Sequence, residues 1–504
     1  MKKAWWIGLA LFVSLAGIVL AVPLFVDLGV FKNTYLPLVE DALGRRVEVG
    51  EVRLGLVPAP SIRLANLKVS DGPAFPNNTF FATDQLQLRL RLWPLIRGRF
   101  EVTELVLKNP TINLLKRADG SFNYADLAGK KLPVAKSAPR KAKAAPSKPA
   151  EGTYIPLVLP VRMRIDNGQL NLQTVGQKPV RIDNIELSLE EYAEDQPFPY
   201  RAAFNYPGLR RVTLEGQLDY REDQATLTFT NNRLKVLDLQ LPIEGNVSHL
   251  STTPRVNLKS HSERIDAKPV FELLSVFGLA PKATEVSGPM SLALSVSGPS
   301  NQLVTEARGH LIDVKVNGKR ALKGNLTGDV TIKLPLGAGS ATRRLQGNGK
   351  VAARDGELTN VNLIKKVQQA TGLIGLSKEQ GKQATTFKNL ESEFAIAGGS
   401  ADFKRISLTN TQVEVNGNGT LTLDQPTLDM VLETKLLATP AARNIRGRTA
   451  ALFKNAQGQL VVPLKVRGPL ENPNVDVDMT KVAQNTPAQA VEKRLGTFLK
   501  KFFR

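Results

Sequence analysis

The chain has no cysteine, which excludes a disulfide framework, a thiolate metal site and a cysteine nucleophile together. Histidine is nearly as scarce. The three present, His249, His261 and His310, stand in unrelated strand or loop contexts, and none has a second histidine at i+4 or a carboxylate at zinc-site spacing. A Gly-x-Ser-x-Gly elbow and a phosphate-cradling Gly-Lys-Ser/Thr loop are also missing. Gly347-Asn348-Gly349 and Gly417-Asn418-Gly419 carry half the glycines of a dinucleotide-binding loop, but each lies between strand-like runs and reads as a hairpin turn. Glu190-Glu191 and the pair Asp476/Asp478 read as solvated carboxylates near strand ends. The chain is therefore expected to be no enzyme, with no catalytic residue, metal site or cofactor.

What is present begins at the N-terminus. Lys2 and Lys3 precede an uncharged stretch from Ala4 to Val26. At about 1.5 Å per residue that run crosses the roughly 30 Å core of a bilayer, and the lysines favour a cytoplasmic start. A cleaved signal peptide competes with this reading, because Val19-Leu20-Ala21 has small residues at about the spacing a signal peptidase accepts. Against it, the apolar run continues through Val22, Leu24, Phe25 and Val26. We read residues 1–26 as an uncleaved signal anchor and everything after it as exported.

Acidic charge is short: 67 Lys+Arg face 46 Asp+Glu, a net +21. That balance suggests an anionic partner, nucleic acid or a phospholipid surface. Its distribution narrows the choice. Lys130, Lys131, Lys136, Arg140, Lys141, Lys143 and Lys148 are opposed only by Glu151, in a stretch rich in Ala and Pro. Residues 129–153 thus read as a basic disordered linker. An exported chain without a basic–aromatic motif has no access to nucleic acid, so none is expected as a partner, whereas a basic flank near anionic lipid is consistent.

On either side of the linker the pattern is β. Gln85 to Leu92 alternates strictly, placing Leu86, Leu88, Leu90 and Leu92 on one face and Gln87, Arg89 and Arg91 on the other. Weaker alternation recurs at 61–70, 101–107, 161–173, 180–189, 212–218, 225–230, 291–297, 405–415 and 420–423. Asp71-Gly72, Asp119-Gly120, Asn167-Gly168, Asn317-Gly318, Asp355-Gly356 and Asn416-Gly417 suit tight hairpins, which predicts a long antiparallel meander. Helices are expected only at 31–43, 269–277, 361–376, 439–454 and from Ala488 onward, too few to cover the apolar face of so large a sheet. That face packs on another sheet, closes on itself, or holds something apolar. If roughly 25–30 strands stack about 4.8 Å apart, one continuous sheet runs on the order of 120–145 Å.

At the C-terminus Val491, Leu495, Phe498, Leu499, Phe502 and Phe503 form one apolar stripe at helical period, flanked by Lys493, Arg494, Lys500, Lys501 and Arg504. A membrane-surface helix and a helix packed on the body both fit this pattern. The expected organisation is an anchor at 1–26, a β region at 27–128, the linker at 129–153, a central meander at 154–359, a second β region at 360–479 and an amphipathic helix at 480–504.

Particular residues then point to a family. The segment Tyr35-Leu36-Pro37-Leu38-Val39-Glu40-Asp41-Ala42-Leu43-Gly44-Arg45-Arg46-Val47-Glu48-Val49-Gly50 resembles the short helix, Gly-Arg turn and first strand of the AsmA family of bacterial envelope proteins. Leu56–Ser70, Leu95–Phe100, Leu107–Leu114 and Asp119-Gly120-Ser121-Phe122-Asn123-Tyr124-Ala125-Asp126-Leu127 follow in the family's order. Thr386–Ile396, Val415–Leu423 and Val462–Val475 are similar to its C-terminal region. The resemblance implies a single-pass anchor in the inner membrane of a Gram-negative bacterium with the body in the periplasm. It also implies a bent, groove-like sheet whose apolar face carries phospholipid, akin to bridge-like lipid-transfer proteins. On that basis the expected function is conducting phospholipid between inner and outer membranes in outer-membrane biogenesis, with Leu86, Leu88, Leu90 and Leu92 as groove residues. The C-terminus would meet the outer membrane or an envelope protein. A structural or regulatory factor that modulates outer-membrane protein assembly without carrying lipid is the alternative.

Overall fold

A computed structural model of the chain describes residues 32–485 apart from 56–58, 73–74, 76–77, 97–100, 117–121, 125–160, 175–178, 193–195, 222, 251–252, 281–283, 319–321, 338, 360, 372–383, 438–452 and 456–457. The anchor, the basic linker and the C-terminal stripe therefore lie outside the described residues. Among those described, no helix is long and apolar enough to cross a membrane. The chain is mainly β and divides into two compact units, Met1–Pro254 and Arg255–Arg504, a boundary that falls inside the segment read as one central meander.

The first unit opens with α1 (Lys32–Leu43), which ends at Gly44 in the left-handed conformation, with a φ of 66° that glycine adopts without a Cβ penalty. Two short strands, β1 (Val47–Glu48) and β2 (Val52–Gly55), both pair with β3 (Ser61–Ser70). Next come β4 (Thr79–Leu90), the short α2 (Leu92–Ile96), β5 (Val102–Lys108) and β6 (Thr111–Lys116). β5 and β6 share the same two neighbours, β4 and β7 (Arg162–Thr174), and are one strand interrupted at Asn109-Pro110, where proline removes a ladder donor. Five further strands complete the unit: β8 (Val180–Leu189), β9 (Phe198–Asn205), β10 (Arg211–Arg221), β11 (Thr226–Val236) and β12 (Leu239–Ser248).

The expected meander holds from β7 to β12, where each strand pairs antiparallel with the next. It fails at one place. β7 runs parallel to β5 and β6, so Lys116 at the end of β6 lies opposite Thr174 at the far end of β7. A parallel neighbour cannot be reached by a hairpin, and the chain between Lys116 and Arg162 is the crossover that it requires. The stretch read as a basic linker thus belongs to the connection between the parallel strands.

In the second unit β13 (Arg255–Asp266) leads into α3 (Ala267–Val276), whose first turn is capped by Asp266 accepting from the Lys268 N–H at 2.8 Å. β13 pairs with β15 (Pro289–Pro299), and β14 (Thr284–Ser287) pairs instead with β16 (Val304–Gly318). β17 (Leu322–Pro335), the short α4 (Ala341–Arg344), β18 (Gln346–Thr359), α5 (Leu363–Thr371), β19 (Ala384–Ala397), β20 (Ser400–Thr409), β21 (Val413–Thr422), β22 (Thr427–Leu436), β23 (Val461–Pro469), β24 (Asn474–Val477) and α6 (Met479–Asn485) follow. Every strand from β15 to β24 is antiparallel to its successor.

Several Asn-Gly and Asp-Gly pairs expected in hairpins lie inside strands instead. Asn167 and Asp355 have positive φ at register shifts within β7 and β18, so they make β-bulges rather than turns. Gly347-Asn348-Gly349 and Gly417-Asn418-Gly419 are likewise interior, in β18 and β21. The reason at Gly349 is crowding: a Cβ there would stand 2.6 Å from the ring of Phe394 on the next strand. Gly417 makes the same room for Leu432 of β22, 2.6 Å from an added Cβ.

Candidate functional site

The site is built from strand register. Leu86 of β4 stands beside Leu64 of β3 and Leu107 of β5, and Leu88 beside Ile62 and Leu105. Residues directly opposite in a ladder share a face, so these side chains form adjoining rows. The row through Leu86 begins at Val52 of β2 and passes through Leu64 to Leu107. It continues through Ile165 of β7, Leu187 of β8 and Ala202 of β9, and ends through Leu214, Leu234 and Leu241 of β10 to β12. Ten strands contribute and every member is apolar. At about 4.8 Å per strand the row runs about 43 Å.

Burial along it is uneven in a useful way. Val52 and Leu241, at its two ends, are 6% and 2% exposed. Every member between them, with Ile62, Leu88, Leu105 and Met163 beside it, is only half-buried. The middle of the face is therefore partly open to solvent.

The opposite face is polar. Arg63, Gln87, Arg164, Ser188, Arg201, Glu215 and Arg233 follow one another across the same strands, interrupted by Val106. Arg89 pairs with Glu104 at 2.6 Å. Glu215 lies between Lys235, at 2.7 Å, and Arg201, at 3.9 Å, and the hydrogen bond from Lys235 holds its carboxyl below the usual range.

The four leucines read from the alternation are not equivalent. Leu86 and Leu88 belong to the open rows. Leu90 follows a register shift at Arg89, lies opposite Val102 and is 5% exposed. Leu92 has left the strand: it starts α2 and is 50% exposed beside Trp93 at 72%. Alternation in sequence continues to Leu92, but the strand stops at Leu90. The membrane-surface residues Val491, Leu495, Phe498, Leu499, Phe502 and Phe503 lie outside the described residues.

The sequence reading missed a buried knot at the β1–β6 end. Arg45 and Asp71 form an ion pair at 3.5 Å with both side chains fully buried. Asn123 donates through Nδ2 to both Asp71 oxygens at 3.0 Å and to the Asn113 carbonyl at 2.8 Å, while its Oδ1 accepts from the Leu115 N–H at 3.0 Å. The Arg45 guanidinium also stands 4.4 Å from the Phe80 ring. Arg45 comes from the Gly-Arg turn, Asp71 from the Asp-Gly pair and Asn123 from Asp-Gly-Ser-Phe-Asn-Tyr. Three motifs far apart in sequence meet here, at the end of the unit that α1 leads into.

Residues 1–263 match the family model of AsmA. The chain belongs to the AsmA family. The match covers all of the first unit and reaches into β13, and the similarity read between Thr386 and Val475 falls beyond it. No curated protein and no solved structure matched the chain. Family membership agrees with an envelope-associated role. The knot joins motifs inside the matched region, and the open apolar row lies wholly within it.

Among the described residues no group of three or more His, Asp or Glu is arranged to hold a metal ion. His310 pairs with Asp329 at 2.7 Å on β16 and β17, and His249 meets Ser248 at 3.0 Å after β12.

Proposed function

We propose that this AsmA-family chain binds phospholipid on the apolar face of its first unit and conducts it between inner and outer membranes, contributing to outer-membrane biogenesis. One observation carries the reading: a ten-strand apolar row, sealed at both ends and half-open between them, backed by a charged face. A sheet that needed only a core would cover such a row, whereas acyl chains laid on it leave water while their headgroups stay hydrated. Each methylene so buried contributes about 0.8 kcal/mol. No covalent step is required, so the chain acts as a conduit and not as an enzyme.

In this reading residues 1–26 hold the protein in the inner membrane as a single span, with the body in the periplasm. The apolar stripe from Val491 to Phe503 sits as a surface helix on an anionic membrane, the outer membrane being its natural acceptor. A peptide covering 487–504 is expected to become helical on anionic vesicles and to lose binding when Phe498, Phe502 and Phe503 are changed to Ser.

The deciding experiment places a photocrosslinking residue at Leu86 or Leu88 in the full-length protein in cells. Phospholipid adducts are expected, lost in a Leu88→Glu background and retained with Arg89→Ser, whose side chain lies on the charged face. Adducts to protein alone at both positions would defeat the proposal and favour a docking role in outer-membrane protein assembly.

A further inference from the structure

Where β7 begins and β8 ends, the apolar face of the first unit deepens into a half-open pocket of about 240 Å³. Phe198 and Leu218, opposite each other on β9 and β10, are 5% and 7% exposed and line it together with Met163, Leu189 and Leu227. Two further lining residues come from outside the strands. Tyr192 follows β8 and is tied back by its N–H donating to the Val161 carbonyl at 2.9 Å, with its ring edge-on to Phe198 at 5.2 Å. Leu250 follows β12, and its N–H donates to the Ala225 carbonyl at 3.0 Å. The pocket is thus walled by anchored residues rather than by a passing loop, and no charged side chain lines it.

Size and lining together restrict the occupant. An apolar cavity of about 150 Å³ holds one benzene, so on the same scale this one has room for about ten carbons. A headgroup would lose its water here without a charged partner, which leaves the hydrocarbon end to enter first.

We infer that the pocket seats the methyl end of one acyl chain over about ten carbons, giving the lipid-binding face a fixed resting point that senses chain length. The inference rests on the phospholipid reading above and adds to it a stoichiometry and a length limit. A uniformly greasy face would have neither.

The test titrates the full-length protein, kept soluble in amphipathic polymer, with saturated fatty acids from hexanoate to palmitate against a dansyl-labelled undecanoate. Affinity is expected to rise about fourfold per methylene and to level off near decanoate. Leu250→Trp, at a position already 37% exposed and so tolerant of a larger side chain, should move the plateau to shorter chains while phospholipid crosslinks at Leu86 persist. Two results would overturn the seat and leave the wider reading standing, provided Leu86 still crosslinks lipid. One is an affinity that climbs steadily to palmitate; the other is a chain-length series that Leu250→Trp leaves unchanged. Absence of lipid crosslinks at Leu86 in the unmodified protein would remove both.

Discussion

Leu86 and Leu464 are both leucines on the apolar face of an antiparallel ladder, yet the first is half-buried and the second has no exposed surface. The strands are alike in composition; what differs is what lies over them. In the second unit α5 packs against both β19 and β24, so the strands between them curl around it. Leu363 and Val367 of α5 are 1% and 0% exposed among Leu408, Val413, Val415, Val462 and Leu464. Its start is fixed by Asn362, which accepts from the Lys365 N–H at 2.8 Å, and by Thr385, whose hydroxyl accepts from the Leu363 N–H at 2.9 Å. Among the described residues, the middle of the row in the first unit has no such covering helix. One chain therefore builds a closed core and an open face from the same strand chemistry.

The sharpest way to break that comparison is to truncate each leucine. Leu464→Ala removes fully packed atoms and is expected to destabilise the second unit by about 2–5 kcal/mol in urea unfolding. Leu86→Ala is expected to cost less than about 1.5 kcal/mol, because a half-exposed side chain has less transfer energy to lose and leaves no enclosed cavity. A charge exaggerates the contrast: Leu408→Glu should prevent folding of the second unit, whereas Leu88→Glu should leave circular dichroism unchanged while removing lipid crosslinks. Equal losses at Leu86 and Leu464 would mean that the first unit's face is a closed core too.

Much of this was legible in the sequence, and the illegible parts have physical causes. Alternation located β3 at Ser61–Ser70 to the residue, since one buried and one wet face force period two. The same rule overran at Leu92, because α2 begins with leucine and periodicity does not reveal where a strand's partner ends. Asn167-Gly168 and Asp355-Gly356 were misplaced as hairpins because a bulge and a tight turn both need positive φ. The parallel β5/β6–β7 pairing left no local signal at all; polarity is a property of the crossover, not of either strand. Arg45 and Asn123 were inside segments that resembled the family and Asp71 was read only as part of a turn pair, but only the fold showed that the three touch.

That knot supplies an effect comparable to that of Leu464→Ala, in the first unit. Asp71→Ala leaves Arg45 charged and buried without its carboxylate, and loss of one partner of a buried pair typically costs about 3–5 kcal/mol. Unfolding of the first unit is expected at correspondingly lower urea, with the second unit's transition unmoved. A smaller, purely steric effect should appear in the second unit at Gly349→Val, where the new side chain meets the Phe394 ring. Overpacking of this kind costs about 1–3 kcal/mol, and Phe394→Ala in the same chain should recover part of it.

The smallest expected effect is one of pH, and it tests how the closed end of the second unit is finished. Asp478 precedes α6, is 4% exposed, pairs with Lys465 at 3.1 Å and accepts from the Thr480 N–H at 3.1 Å. Burial by itself would raise its carboxyl, but the hydrogen bond from Lys465 and those from the Lys481 and Thr480 amides outweigh it, and the group titrates below the usual carboxylate range. A depressed folded value means that the ionised form is bound more tightly in the folded chain. The stabilisation is therefore fully present above the unfolded value, about 3.9, and is lost as pH falls through the lower folded one. Asp478→Asn keeps an N-cap acceptor but removes the charge, so it should lower stability modestly at neutral pH, by about 1 kcal/mol. It should also flatten the acid limb of the second unit's unfolding curve below about pH 4. An acid limb identical in the two proteins would show that the Lys465 pair does not hold the end of the core, and that α5 alone closes it.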